Sequence, residues 1–318
     1  MPRSRLANAY RASGADLPFG DPRLAHGVAM EGYYWRLWDA ASGRCIVALC
    51  GVCRDAAGLS WAVVALAAHP GGFVRWVAAP QARAGEHALG ALAWNDERTL
   101  LRGSERRIAA DLGGDARLEA VLEGRTGWPH RALGGVGVAQ VAPGLPQYWH
   151  PVVLGARVRG EATLGGETVS LDGWDAYIEK NWGSVFPGLW WWGQAGFGDG
   201  AMAAFAGGRL AGPLAASAVV VRAGGEVVRH APPGAVVRAG AGGCEWRLQA
   251  RSPRWSVTLE GEGGVPHILP VPVPAERRAV MRSEHHLAGT LRVTARRGRR
   301  VVLRAESALA GLELGTPA

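Results

Sequence analysis

Short runs in which apolar and polar residues alternate recur along almost the whole chain, and each is soon cut off by glycine, proline or aspartate. The segments "GYYWRLWD", "RCIVALCGV", "SWAVVALAA", "FVRWVAA", "ARLEAVLEG", "ARVRGEATL", "SAVVVRAG", "WSVTLEG", "GTLRVTA" and "RVVLRAES" all read this way. Successive side chains of an extended strand point to opposite faces, so this period of two predicts short strands that must pair into sheets. Helix-period signals are scarce: "EHALGALAWNDERTLL" fits a short helix, and it fits a loop equally well. No unit recurs at a fixed interval, which removes propellers and solenoids. The predicted class is all-β.

With 318 residues, 48% of them hydrophobic and 19% charged, the chain can bury one large core or two medium ones. The glycine- and proline-rich stretch "GWPHRALGGVGVAQVAPGLPQ" falls near the middle, with strand candidates on both sides. It predicts a junction between two barrel-like or sandwich-like halves, an N-terminal β domain over 1–140 and a C-terminal one over 141–318. "VPHILPVPVPAERR" carries proline at alternate positions, so it should be extended, unpaired along one side, and placed at an edge or a crossing between the halves.

The 35 Lys+Arg against 27 Asp+Glu leave a formal charge of +8, which raises the question of a polyanionic partner. Composition argues against nucleic acid. Lys180 is the sole lysine, and an otherwise all-arginine base set beside 47 glycines and abundant alanine looks like a coding bias. "RRGRR" lies between two apolar alternations and predicts a solvated hairpin tip, with peripheral contact to an anionic membrane surface as the lesser reading. No apolar run reaches the ~18 residues of a membrane-spanning helix and no apolar leader opens the chain. The expected location is therefore the cytoplasm, with or without peripheral contact at the inner membrane face. Cys50 and Cys53 form a C-x-x-C inside an apolar strand, with no second pair at zinc spacing, so Cys45, Cys50, Cys53 and Cys244 are expected as buried reduced thiols. His285 and His286 are adjacent, but on a strand their rings point to opposite faces, and no metal site is expected. Neither a dinucleotide fingerprint nor a nucleophile elbow is present, and no cofactor is implied.

One segment concentrates unusual chemistry. "YIEKNWGSVFPGLWWWGQAGF" holds four tryptophans, a glutamate, an asparagine and the sole lysine. As a strand, "AYIEKNWG" puts Tyr177, Glu179 and Asn181 on one face and Ile178, Lys180 and Trp182 on the other. A returning strand "LWWWGQAGF" would add Trp190, Trp192 and Gln194 to a common space, with Trp191 turned away. Indole and phenol faces stabilise a developing cation without acting as nucleophiles, and a carboxylic acid kept protonated by apolar surroundings can start such chemistry. Glu179 fits that role. A lysine here suggests that a point charge, not a planar fork, is wanted at 180. The plainer alternatives are tryptophans that only pack a core and a Glu179–Lys180 region that only forms structural ion pairs.

Two further groups are candidates. In "MEGYYWRLWD" both faces are aromatic, which predicts a strand buried on each side; Tyr33 and Trp35 pack a core there or contact a ligand. "QYWH" brings Trp149 and His150 together just after the central junction, where a histidine can titrate near neutrality.

These segments, taken in order, resemble the tocopherol cyclase family, and more distantly the carotenoid hydratases and AttH-type proteins of lipocalin-like architecture. "EGYYWRLWD" is similar to the family's opening strand, "GWPHRALGGVG" to its W-P and glycine-rich turn, and "QYWHPVVLGARVRGEATLGGETVSLDGW" to its entry into the second half. "YIEKNWGSVFPGLWWWGQ" resembles the hallmark E-K-N-W-G segment with its following W-x-W-x-Q, and "ALAGLELG" the closing strand. The resemblance implies two lipocalin-like β units and ring closure of a prenylated quinol by addition of its phenol oxygen across an alkene. Glu179, Lys180, Asn181 and Trp182 then occupy the hallmark positions, followed by Trp190, Trp192 and Gln194. The expected function is proton-initiated cyclisation of a prenylated quinol or related isoprenoid. Catalysis would involve Glu179, Asn181, Tyr177, Lys180 and His150, with substrate contacts from Trp182, Trp190, Trp192, Gln194, Tyr33, Trp35 and Trp149. Polyene hydration and noncatalytic carriage of a hydrophobic small molecule are the alternatives.

Overall fold

A computed structural model describes residues 5–17, 20–25, 27–96, 98–129, 133–211 and 214–315. After a short helix, α1 (Arg5–Ala12), the chain is almost entirely strand. Twelve strands form a first antiparallel sheet: β1 (Met30–Asp39), β2 (Arg44–Arg54), β3 (Ser60–His69), β4 (Phe73–Ala79), β5 (Gln81–Ala84), β6 (Gly90–Trp94), β7 (Thr99–Ser104), β8 (Arg107–Asp111), β9 (Ala116–Gly127), β10 (Gln147–Leu164), β11 (Glu167–Ser170) and β12 (Asp175–Gly183). Ten more form the second: β13 (Trp190–Gly196), β14 (Met202–Ala211), β15 (Leu214–Ala223), β16 (Glu226–His230), β17 (Val236–Gly242), β18 (Glu245–Arg251), β19 (Trp255–Glu262), β20 (Pro266–Val273), β21 (Arg278–Arg297) and β22 (Arg300–Gly315). The all-β expectation and the lipocalin-like architecture are both met.

Each sheet curls around its own core. In the first, β5 folds back against β3, and the inward residues of every second position, among them Trp35, Leu37, Ile46, Leu66, Ile108 and Ile178, fill the interior. In the second, Phe205, Trp246, Leu259 and Leu312 do the same. Both interiors are packed with side chains, so any ligand space must lie elsewhere. The outer faces of β1, β2, β10 and β12 then meet the second sheet through Tyr34, Trp38, Trp149 and Tyr177 on one side and Trp192, Met202, Val220 and Leu309 on the other. This is why "EGYYWRLWD" is aromatic on both faces: β1 has one core inside its sheet and another outside it.

Three local expectations come out differently. The sheets exchange at residues 184–189, and β10 and β12 belong to the first sheet, so the change of sheet does not fall at 140/141. The glycine-rich centre is instead a connection inside the first sheet, because β10 must pair with both β9 and β12. "EHALGALAWNDERTLL" contains no helix among its described residues: it supplies β6 and β7, whose alternate residues Ala91, Ala93 and Leu101 are needed in the first core. β20 does behave as expected. It pairs with β21 alone and lies against β3 and β4 of the first sheet. "RRGRR" is likewise the tip of the β21–β22 hairpin.

One buried cation ties the sheets together. A bulge on β21 after His286 leaves the carbonyl of Leu287 free of its ladder. Fully buried Arg36 of β1 donates to it at 3.0 Å, to the Leu309 carbonyl at 2.6 Å and to Gln194 Oε1 at 3.1 Å. Arg36→Met would strand both carbonyls, and we expect a stability loss on the order of 3 kcal/mol, read by urea unfolding. An unchanged midpoint would show that Arg36 is not a clamp.

Candidate active site

Between the sheets lies a cavity of about 310 Å³, within the range of small-ligand sites. The first sheet contributes Gly32 and Tyr34 of β1, Trp149 of β10, and Glu179 and Asn181 of β12. The second contributes Trp190 and Trp192 of β13, Ser283 and His285 of β21, and Glu313 of β22. The remaining wall is mostly apolar, including Leu49, Ala218, Leu269 and Val271, with Gln147 and Ser217 among its polar members. Strand register explains the assembly. Gly32 pairs with Asn181 and Tyr34 with Glu179, while Trp192, Glu313 and His285 lie in one row across three strands of the second sheet. Gly32 is required by close approach, since a Cβ there would sit 2.4 Å from Asn181 Oδ1. Asn181 is held by Gln147 Nε2 at 2.8 Å.

Glu179 is the centre of this site. Its Oε2 accepts three hydrogen bonds: from Trp149 Nε1 at 2.7 Å, Tyr177 Oη at 2.7 Å and Trp192 Nε1 at 2.9 Å. No described residue donates to Oε1, and the 4% of its surface that Glu179 keeps lies on the cavity wall. Burial pushes this carboxyl up to about 7 against the pull of its three donors, with the charge of Glu313 adding to the rise. Near neutrality the group is therefore divided between acid and carboxylate. With Oε2 saturated by donors, the proton of the acid form belongs on Oε1, aimed at the cavity.

A second carboxylate faces it with the opposite bias. Glu313 Oε1 accepts from Ser283 Oγ at 2.7 Å and Trp190 Nε1 at 2.8 Å. Burial alone would raise this carboxyl, but His285, Ser283 and Trp190 outweigh it and hold it below its ordinary value. His285 Nδ1 lies 3.6 Å from Glu313 Oε2, a direct electrostatic contact longer than a hydrogen bond, and His285 Nε2 lies 2.9 Å from Tyr34 Oη. An ionised Glu313 favours the ring proton on Nδ1, which leaves Nε2 to accept from the Tyr34 hydroxyl. The cavity thus carries an acid poised near neutrality on one wall and a carboxylate–imidazole–phenol chain on the other.

The residues expected from the sequence divide sharply. Glu179, Asn181, Trp149, Trp190 and Trp192 line the cavity, and Tyr177 stands behind Glu179 as one of its donors. Lys180, Trp182 and His150 do not. They point the other way, towards the end of the first barrel, where the N-terminal segment closes over them. Lys180 Nζ reaches Ala25 O at 2.6 Å and Glu31 Oε2 at 3.2 Å, and Trp182 stacks on Tyr148 and donates to Gly14 O. His150 packs edge-on to Trp128, and burial pushes it down to about 3, so it stays neutral. Tyr33 borders the cavity, but its ring packs in the first core with its hydroxyl on Glu31 at 3.0 Å; Trp35 is wholly in that core. Gln194 is buried on Arg36, away from the cavity. The expected β12–β13 hairpin does not form either, because the two strands belong to different sheets; Glu179 and Trp192 meet across the gap instead. Sequence reasoning passed over Tyr34, Ser283, His285 and Glu313. Their signal was alternation within "GYYWRLWD", "SEHH" and "GLELG", without anything local to say which face would meet Glu179.

The model of the tocopherol cyclase-like family matches residues 109–316, about two thirds of the chain. The chain belongs to the tocopherol cyclase-like family. The match takes in β9 to β22 and hence Glu179, His285 and Glu313, while Tyr34 and the β1 strand precede it. This tocopherol cyclase-like protein matches no curated protein. The crystal structure of an AttH-like protein from Nitrosomonas europaea superposes at a TM-score of 0.56 with 14% identity, over 96% of this chain and 98% of that one. At that identity the likeness establishes the fold alone. A porin-like protein from Bacteroides uniformis reaches a TM-score of only 0.19 with 5% identity, over 90% and 94% of the two chains, and carries no argument. No helix among the described residues of the tocopherol cyclase-like protein is long and apolar enough to cross a membrane.

Proposed function

We propose that the protein is an enzyme that adds an O–H group across an alkene of a hydrophobic isoprenoid, with ring closure of a prenylated quinol as the reaction that best fits. The observation that carries this reading is the triple hydrogen bond on Glu179 Oε2, which leaves the acid proton on Oε1 at the edge of an apolar cavity. Protonation of the alkene by Oε1–H leaves a tertiary cation on the chain and a carboxylate on Glu179. The rings of Trp149, Trp190 and Trp192 offer the cation electron-rich surroundings without a nucleophile to trap it. The substrate hydroxyl then attacks the cation, and its proton passes to Tyr34 Oη as the Tyr34 proton moves to His285 Nε2 beside Glu313. Solvent returns one proton to Glu179 and takes one from His285, so the net change is an isomerisation.

Incubation with prenylated quinols and linear polyenes in heavy water, followed by mass spectrometry, tests this. One deuterium in a cyclised product is the expected outcome. A polyene that gains heavy water would keep Glu179 as the acid but make water the nucleophile. Tight binding of every compound with none altered would make the protein a carrier and end the catalytic reading. In the active preparation, His285→Gln is expected to slow turnover by about 10²-fold or more with ligand affinity retained. A full-rate His285→Gln would place the proton acceptor elsewhere.

A further inference from the structure

Strand β21 presents different chemistry on its two faces. Ser283 and His285 look into the cavity, while Glu284 and His286 alternate to the far side, where His286 meets Trp246 of the second core edge-on at 5.4 Å. There they come together with Cys244, in the turn between β17 and β18. We infer that Cys244, Glu284 and His286 form a binding site for a zinc-type divalent cation. This site is separate from the cavity, and the inference does not depend on the proposed reaction.

The side chain of His286 is fully buried. Its Nδ1 lies 2.7 Å from the carbonyl oxygen of Gly264, an acceptor only, so Nδ1 carries a proton. In the neutral ring that leaves a lone pair on Nε2, which has no hydrogen-bond partner. It is 3.3 Å from Glu284 Oε1, within ion-pair distance but without a hydrogen bond between them. A backbone carbonyl that fixes one ring nitrogen and so presents the other as a lone pair is the outer-shell arrangement that orients a metal-binding histidine. The third donor atom comes from Cys244, and one ligand atom from each of the three residues lies within 4.8 Å of the other two.

Chain geometry makes room for this ring. A Cβ at Gly263 would stand 2.8 Å from His286 Nδ1 and Cε1, and the Gly263 amide donates to the Cys244 carbonyl at 2.7 Å. The turn that carries the thiol is thereby pinned beside the imidazole. Cys244 also differs from its fellows: it is exposed, contrary to the buried thiol expected from the sequence, whereas Cys45, Cys50 and Cys53 are buried and burial pushes each of their thiols up, that of Cys50 to about 12. Of the four cysteines, Cys244 alone is placed where a cation from solvent can meet its sulfur. One sulfur, one imidazole nitrogen and one carboxylate oxygen suit Zn²⁺ or Co²⁺ and not Mg²⁺ or Ca²⁺, which take oxygen ligands. Three protein ligands leave a fourth position for water at the exposed turn. Bound there, the cation ties the β17–β18 turn to β21. Sequence spacing cannot disclose it, since Cys244 lies far along the chain from Glu284 and His286 and zinc patterns are read from close pairs.

The competing account is a plain His286 imidazolium–Glu284 ion pair with Cys244 as a bystander. Chelator-treated full-length protein titrated with Co²⁺, then with Zn²⁺ as competitor, separates the two. We expect saturation at one equivalent, a near-ultraviolet thiolate-to-cobalt absorption, its loss on adding Zn²⁺, and a higher thermal midpoint with Zn²⁺ bound. Cys244→Ser, a surface change that leaves the core alone, should abolish the absorption and the thermal shift. His286→Gln should weaken Co²⁺ binding by about tenfold or more. The inference is overturned by an absence of saturable Co²⁺ or Zn²⁺ binding in the wild-type protein, or by an isotherm and spectrum that Cys244→Ser leaves unchanged.

Discussion

Glu179→Gln should slow turnover by about 10²- to 10⁴-fold while leaving the fold and ligand affinity in place. The substitution is close to isosteric. A glutamine can turn its carbonyl oxygen to the position of Oε2 and accept the same three donors, Trp149, Tyr177 and Trp192, which places its NH₂ where Oε1 faces the cavity. An amide N–H in that place can hydrogen-bond a ligand but cannot deliver a proton to an alkene. Binding measured with a non-reacting quinol and turnover measured in heavy water would then part company. Wild-type rates in the glutamine variant would remove Glu179 from the mechanism.

The same substitution has a stability signature whose sign follows from the titration. The ordinary value for this carboxyl is 4.5, and in the folded protein burial raises it to about 7. Below 4.5 both folded and unfolded chains hold the proton, and the contribution of the neutral acid is fully present. As pH rises from there, the unfolded chain releases its proton first, so folding stability declines until the folded group also ionises near 7. The total loss is about 3 kcal/mol. Glutamine cannot ionise, so the variant should lack this decline and gain about 3 kcal/mol on the wild type between the two ends of the window. Urea unfolding of both proteins below 4.5 and above 7 reads the difference, and parallel behaviour would mean that the carboxyl is not held up by its surroundings. Turnover should fall over the upper part of the same range, as the acid form of Glu179 is depleted.

How much of this was legible in the sequence depended on the range of the interaction. Alternation along one strand is local, and it correctly put Tyr177, Glu179 and Asn181 on one face and Lys180 with Trp182 on the other. What lies opposite each face is not local. The face with Lys180 and Trp182 is met by the N-terminal segment, whose Ala25 and Val28 pack on Tyr148 and Trp182. The face with Glu179 is met by strands whose residues come from positions 34, 192, 285 and 313. A strand returning directly after "AYIEKNWG" is the local expectation, yet residues 184–189 carry the chain from one sheet to the other. The site therefore lies between two filled barrels and not inside either one, because side chains such as Trp35 and Leu66 in the first and Phe205 and Trp246 in the second leave their interiors no room. The exposure of Cys244 shows the same limit, since apolar composition around a cysteine says little about a residue placed in a turn.

Lys180→Met should destabilise the protein by about 3–5 kcal/mol, the usual effect of removing one member of a buried ion pair. Lys180 is fully buried, and its ammonium has three oxygen neighbours: Glu31 Oε2 at 3.2 Å, Ala25 O at 2.6 Å and Arg23 O at 3.3 Å. Three N–H groups on a compact charge match three separate acceptors, which a planar guanidinium cannot reach from the same stem, and this accounts for a lysine in a chain that otherwise uses arginine. The rings of Tyr33 and Trp182 lie 5.5 and 5.6 Å from the same nitrogen and add favourable cation–π contact. Burial lowers the Lys180 ammonium from its ordinary value, with Glu31 opposing the change. Methionine would keep the volume but take the cation away from the buried Glu31 carboxylate, which Tyr33 still hydrogen-bonds, so Glu31→Gln in the same background should recover part of the loss. Because Lys180 and Glu179 point to opposite faces of β12, the Lys180→Met variant that remains folded should still show the raised Glu179 titration. A Lys180→Met protein with unchanged stability but no turnover would reverse this assignment and return Lys180 to the catalytic machinery.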